Sequence, residues 1–263
     1  MGTVLRARSP FPWAEMLAYL SHRLTPGIEA VEEDRYRRQH AGGAVSVSFD
    51  SSAPRLVIET TGSVDHKHVR DRVAALFDTE FDYAPVAEAL GRSRLLAARM
   101  KRVPGMRPLG TWSPFELCVR TILGQQVTVA AAGTLMRRWV ERCGAITPEC
   151  VLSANLDNIG MPTKRVATIR SLAQAVLDGA VRFDAPWGEL NEALAQLPGF
   201  GPWTREYLAI RLGREPDAFP ASDLGLIRAA GVSKPAELLE LAERWRPYRA
   251  YAATYLWAVA AHH

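Results

Sequence analysis

Cysteine, lysine and long apolar runs are scarce in this chain of 263 residues. Its three cysteines, Cys118, Cys143 and Cys150, are odd in number and irregularly spaced, which argues against a disulfide framework. They form no C-x-x-C pair and no Cys/His cluster of the kind that holds zinc. A four-cysteine iron–sulfur set is out of reach. No run approaches transmembrane length, and the opening MGTVLRARSPFPW lacks the apolar centre of a secretory signal. The expected compartment is therefore reducing: the cytoplasm, on the nucleoid if the source is bacterial, and away from any membrane. Lysine occurs only at Lys67, Lys101, Lys164 and Lys234, so arginine carries nearly all the positive charge. Its planar fork suits phosphate. A formal charge of +4 and a pI of about 9.1 are compatible with a nucleic-acid partner without demanding one.

Hydrophobic content of 48% is ample for a core. Trp13 to Arg23 reads as a short helix. Val45, Val47 and Phe49 then alternate with small or polar residues, Asp50 to Pro54 turns the chain, and Leu56, Val57 and Ile58 continue as a second strand. A further strand is expected within Gly27 to Tyr36, weakened by Glu32-Glu33-Asp34. His66 to Phe77 returns to helix, with Val69, Val73, Leu76 and Phe77 on one face. His66 and His68, two apart, fall on different faces and read as solvated rather than metal-binding. From Phe81 onward the pattern is helical. Ser113-Pro114-Phe115-Glu116 is a capping box with proline first, and Phe115, Cys118, Val119 and Ile122 form a buried stripe. Gly124-Gln125-Gln126 breaks that helix. Val127 to Cys143 is the next, ended by Gly144. Thr147-Pro148, Met161-Pro162 and Asp184-Ala185-Pro186 open three more, Ser233 caps a later one, and Pro247 starts the last. The fold class is α+β: a small N-terminal antiparallel sheet with helices on one side, then an all-α body.

The richest stretch is Leu197 to Arg228, LPGFGPWTREYLAIRLGREPDAFPASDLGLIR. Gly199 and Gly201 allow positive φ and close backbone approach. Pro202 is preset for the first turn of a helix over Trp203 to Leu212. A turn opening into a helix aims backbone N–H groups outward and adds the positive end of the helix dipole, which makes a phosphate-sized anion site. Asp223 precedes the apolar-spaced Leu224 and Ile227. Taken alone, it is as readily a helix N-cap as a catalytic carboxylate.

Six motifs in order, PFPWAEMLAYL, ILGQQVTVAAA, IGMPTKR, LPGFGPWTREYLAIR, FPASDLG and ERWRPYRAYAATYLW, resemble the helix-hairpin-helix DNA glycosylases, most closely their bacterial 3-methyladenine, alkylation-repair branch. The resemblance spans nearly the whole chain. It implies an α+β domain over 1–82, a helical domain from 83–108 plus 214–263 carrying the catalytic Asp, and a helical domain with the hairpin over 109–213. It also implies a monomer acting on double-stranded DNA with damaged bases. Related enzymes occur fused behind a DNA methyl-transfer domain.

Such an enzyme rotates the damaged nucleotide out of the duplex. The resemblance puts Gly199, Phe200, Gly201, Thr204, Gln125 and Gln126 on the DNA, and Trp203, Tyr207, Trp257 and Tyr19 around the extruded base. Trp203 and Tyr207, four apart, share a helix face, and electron-rich rings attract a cationic methylated purine. The plainer reading is that aromatics at this spacing fill a core. Asp223 would stabilise the oxocarbenium-like sugar and orient water. A cationic base leaves without protonation, so no second carboxylate is required. Backbone carbonyls of Ala195, Leu197 and Phe200 are implied ligands of a structural monovalent cation, with no other cofactor. Relatives that also cut the strand carry a lysine just after the hairpin. Trp203 stands there, so strand cleavage is not expected.

Three positions depart from the branch. Gln126 stands where a leucine wedge is usual, Ser222 where an acidic residue is, and Leu224 where an aromatic is, which opens the lesion range. A glycosylase of this fold for deaminated or oxidised bases is one alternative. A catalytically silent helix-hairpin-helix DNA-binding module is another, although it would need the hairpin without Asp223 and the aromatics. A structural α+β protein with an incidental turn would leave the motif order unexplained.

Overall fold

A computed structural model describes residues 2–40, 42–156, 159–213 and 215–260. Five strands form one sheet: β1 (Gly2–Arg6), β2 (Glu29–Glu32), β3 (Arg35–His40), β4 (Gly43–Asp50) and β5 (Arg55–Gly62), in the order β1-β5-β4-β3-β2. The α-helices are α1 (Trp13–Ser21), α2 (His66–Phe77), α3 (Tyr83–Gly91), α4 (Arg94–Arg102), α5 (Pro114–Leu123), α6 (Val129–Cys143) and α7 (Pro148–Ser153). They continue as α8 (Thr163–Leu177), α9 (Trp187–Ala195), α10 (Pro202–Arg211), α11 (Leu224–Ala230), α12 (Pro235–Ala242) and α13 (Arg249–Ala260). No helix among the described residues is long and apolar enough to cross a membrane.

The chain divides into two compact units: one of Met1–Ser21, Val31–Trp112 and Ala209–His263, the other of His22–Ala30 and Ser113–Leu208. In the first, antiparallel register aligns Leu5 with Leu56, Val47 with Ile58 and Tyr36 with Val47. Strand alternation thus places Leu5, Tyr36, Val45, Val47, Leu56 and Ile58 on one buried face. Helices α1 and α2 cover that face: the Trp13 and Phe77 rings lie 4.8 Å apart, and Tyr36 meets Phe77 edge-on at 5.8 Å.

The alternation that marks β4, the strand read through Leu56, Val57 and Ile58, and the stripe that marks α2 are realised as read. The single strand expected within Gly27 to Tyr36 is instead two. Glu33 and Asp34 are the turn between β2 and β3, with φ of 51° and 61°, the left-handed pair of a tight hairpin. Strand β1 escapes sequence reading because Leu5 is its only buried side chain.

In this first unit Arg107 is fully buried. It donates from Nε to Gly105 O at 2.9 Å, from Nη1 to Asp78 O at 2.9 Å and from Nη2 to Pro10 O at 2.5 Å. Its guanidinium also lies 5.1 Å from the Phe11 ring centroid and 4.5 Å from that of Phe81. Burial pulls its pKa down to about 10, so it remains charged at neutral pH.

The second unit is centred on α5, where eight of ten residues are buried. The predicted stripe is only part of what is covered, as expected for a helix enclosed all round. Burial pushes the Cys118 thiol well above its ordinary range, so it is core filler rather than a nucleophile. Ser113 caps α5 by accepting from Glu116 N at 3.3 Å, while the buried Glu116 carboxylate accepts from Thr25 Oγ1 at 3.4 Å. The α6 cap is Thr128, which accepts from Ala131 N at 3.2 Å, so that helix starts two residues later than its apolar pattern suggests. Ser233 is not a cap. Lys234 holds that position before Pro235, and the Ser233 N–H donates to Glu237 Oε2 at 2.9 Å.

Arg107→Met keeps the stem and removes every donor. One buried carbonyl and two part-buried ones lose their partner, at about 1–3 kcal/mol each, offset in part by the relief of an expensive buried charge. Urea unfolding is expected to show a net loss of about 3 kcal/mol. A change within about 0.5 kcal/mol, the scatter of ordinary surface substitutions, would mean that the arginine contributes no net stability.

Candidate active site and hairpin

The hairpin of the second unit joins α9 to α10 through Pro198-Gly199-Phe200-Gly201. Gly199 has φ of 81°, and a Cβ there would stand 2.9 Å from Thr168 Cγ2 on α8. Glycine is required for both reasons. Gly201 does not take positive φ, and a Cβ there would meet nothing within 4 Å. Its part is to keep the outer surface low. Both glycines are exposed, and among the described residues neither N–H donates to another protein group. Helix α10 begins at Pro202, one residue earlier than expected.

Phe200, Thr204 and Gln125 were expected against DNA, but the hairpin itself uses them. The Phe200 side chain is buried, as is Thr204. Gln125 Nε2 donates to Gly199 O at 2.9 Å and to Thr204 Oγ1 at 3.0 Å. The α5–α6 connection is thereby tied to the hairpin by an amide that satisfies its carbonyl. The neighbouring Gln126 is exposed with φ of 58°. That conformation is uncommon for a residue bearing a Cβ and is often found at functional sites. Trp203 and Tyr207 share a face of α10 as predicted and stack on each other at 5.5 Å with 11° between planes. Each is half-buried.

Asp223 lies in the first unit and is half-buried. It is a true N-cap: Oδ1 accepts from Leu226 N at 2.9 Å. The same oxygen accepts from Trp257 Nε1 on α13 at 3.1 Å. Trp257 is 6% exposed, so it serves Asp223 as a donor and offers almost no ring face to a ligand. Gly225, which sequence reading passed over, completes this arrangement. A Cβ there would stand 3.0 Å from Asp223 Oδ1 and 3.7 Å from Trp257 Cδ1. The start of α13 is fixed by Arg249, which donates to Asp217 Oδ1 and Oδ2 at 2.9 Å each. Tyr19 is 1% exposed, with the Arg211 guanidinium 5.9 Å from its ring centroid. No base can stack on Tyr19 where it stands. Ser222 is exposed, and Leu224 is 66% exposed.

Residues 3–113 match the AlkA N-terminal domain, and residues 119–247 match the HhH-GPD superfamily base excision DNA repair protein. The hairpin and Asp223 fall inside the second match. DNA-3-methyladenine glycosylase 2 of Escherichia coli is 32% identical, over 96% of this chain and 95% of that one. The chain belongs to the HhH-GPD superfamily. A second relative, the probable bifunctional transcriptional activator/DNA repair enzyme AlkA of Mycobacterium tuberculosis, is 34% identical over 99% of this chain. The chain spans only 58% of that relative's length. The 3-methyladenine DNA-glycosylase of Archaeoglobus fulgidus has the same fold, with a TM-score of 0.82 at 21% identity, covering 98% of both chains.

The monovalent cation implied by the resemblance fits this hairpin poorly. The Phe200 carbonyl already accepts from Arg205 Nε at 3.1 Å, and Arg205 Nη1 donates to Asn191 Oδ1 on α9 at 2.9 Å. The Leu197 carbonyl accepts from Phe200 N at 3.4 Å. Two unit charges about 4 Å apart repel by about 4 kcal/mol at the dielectric typical of a protein surface. A metal ion sharing the Phe200 carbonyl would meet that repulsion. Sequence reading missed Arg205 because its motif position looks like an ordinary helical surface site. Its distance of five residues from Phe200 is the only signal.

Gly199→Ala is expected to cost about 1–2 kcal/mol for the left-handed backbone alone, and more from the Thr168 methyl. Adding Thr168→Ser removes that methyl and should return the steric part only. Urea unfolding of both single variants and the double variant measures this. Simple additivity would show that the hairpin does not bear on α8.

Proposed function

We propose that this chain is a monofunctional DNA glycosylase that excises alkylated bases of the 3-methyladenine type from duplex DNA and leaves an abasic site in base excision repair. The observation that carries the reading is Asp223. Its carboxylate is fixed by two N–H donors at the start of α11, within a chain 32% identical over nearly its full length to DNA-3-methyladenine glycosylase 2.

The chemistry follows from what each part can do. The free N–H groups of Gly199 and Gly201, at the entrance to α10, suit a backbone phosphate. Gln126 projects from a strained position and can fill the gap left by an extruded nucleotide. The half-buried Trp203–Tyr207 stack is electron-rich and suits a flat, cationic base. As the glycosidic bond breaks, the sugar gains positive charge and the base departs with the bonding electrons. A methylated purine is already cationic and leaves neutral, so no acid is needed. Asp223 stabilises the sugar cation and orients the water that adds to it. Trp257 is a positioning residue, and its N–H fixes which carboxylate oxygen is engaged. No lysine stands at the hairpin to form a Schiff base, so the strand stays intact.

The test is base release from methylated duplex DNA. Asp223→Asn preserves a cap-competent side chain and removes the charge. Release should fall by about 10²–10³-fold, the scale of one preorganised electrostatic group, with DNA affinity and thermal stability little changed. Equal release by the natural chain and the variant would leave Asp223 as a cap alone. Trp257→Phe keeps the bulk and deletes the donor. A tenfold fall in kcat with KM within twofold is expected, about what one charge-assisted hydrogen bond is worth. A rise in KM alone would instead make Trp257 a binding residue.

A further inference from the structure

We propose that Arg205 is the hairpin's own cation: its guanidinium occupies the Phe200 carbonyl, so the hairpin needs no exchangeable monovalent ion. Three features of the second unit carry the inference. Arg205 Nε donates to Phe200 O at 3.1 Å, and Nη1 is held by Asn191 Oδ1 at 2.9 Å. The group is therefore anchored at two points, on α9 and on the hairpin, and does not sweep through solvent. Arg205 is half-buried, along with Asn191, which strengthens both bonds relative to water. Finally, the Gly199 carbonyl of the turn accepts from Gln125 Nε2 at 2.9 Å. Side chains of this chain thus neutralise the hairpin carbonyls at two places.

The chemical consequence is a shift in what holds the turn. An ion gathered from solution stabilises a set of carbonyls only as far as its concentration allows. A guanidinium on the chain is present at every salt composition, and it adds fixed positive charge beside the Gly199 and Gly201 N–H groups. That charge favours a phosphate at the same place. The part concerning phosphate rests on the DNA-binding reading above; the part concerning the carbonyl does not.

Two measurements separate them. Thallium-205 NMR titration, with Tl⁺ as the potassium probe and no DNA present, reads ion binding directly. The natural chain should give no saturable shift, and Arg205→Ala should gain a saturable site in the millimolar range. Arg205→Lys, which retains a cation of similar reach, should not gain one. Thermal melts confirm that each variant is folded. Saturable Tl⁺ binding by the natural chain overturns the proposal. So does a failure of folded Arg205→Ala to gain a site, because the arginine would then be replacing nothing.

The second measurement is affinity for an undamaged duplex at constant ionic strength, in sodium or in tetramethylammonium, which is too large for carbonyl ligation. The natural chain should bind within twofold in both. Arg205→Ala should lose about tenfold in tetramethylammonium and recover in sodium. A natural chain that loses affinity in tetramethylammonium overturns the cation role. A natural chain that binds no duplex in either salt overturns the glycosylase reading, and the thallium titration then still decides the carbonyl.

Discussion

A buried guanidinium must find acceptors on every side, and Arg107 finds them in three stretches of chain that sequence alone would not bring together. Pro10 precedes α1, Asp78 ends α2, and Gly105 follows α4, yet all three carbonyls converge on one side chain between Phe11 and Phe81. The sheet and the helices of the first unit are therefore not independent pieces. A shift of any one strands a buried charge, and the cost of a stranded charge is several times that of a lost surface contact. The same unit presents Asp223 at the start of α11 and Trp257 from α13, joined by one hydrogen bond.

Arg107 is one case of a habit. Arg211 donates to the carbonyls of Leu109 and Gly110, Arg99 to those of Leu95 and Ala229, Arg138 to Ile159 and Arg170 to Ala154. Leu109, Gly110, Ala154 and Ile159 lie outside the helices, Ala229 lies in the last turn of α11, and Leu95 lies within α4. This gives the arginine-rich, lysine-poor composition a second meaning. Much of the positive charge that looks available for phosphate is spent on backbone carbonyls, where a fork with five donors serves better than a compact ammonium.

The fold and the site were legible to different depths. Alternation in β4 and the single apolar face of α2 were plain because one side of each element is buried and the other is not. Caps at Ser113 and Thr147 were legible because a hydroxyl before proline has few other reasons to be there. Strand β1 was hidden, since a short strand with one buried side chain leaves no periodic trace. The family motifs brought Asp223 and the hairpin forward, but not the direction in which each residue faces. Thr204 and Gln125 turn inward, Trp257 acts through its N–H, and Gly225 matters for the side chain it lacks. These are facts of three-dimensional approach, and spacing along one chain does not contain them.

Asp223 carries one further consequence. Because its carboxylate also caps the start of α11, selection for a stable helix acts on the position whatever chemistry the protein performs. Selection for the fold alone would retain aspartate, asparagine or serine at 223. Persistence of that residue among descendants is therefore weak testimony of activity. Joint retention of Asp223, glycine at 225 and tryptophan at 257 is much stronger, because a cap needs neither of the other two.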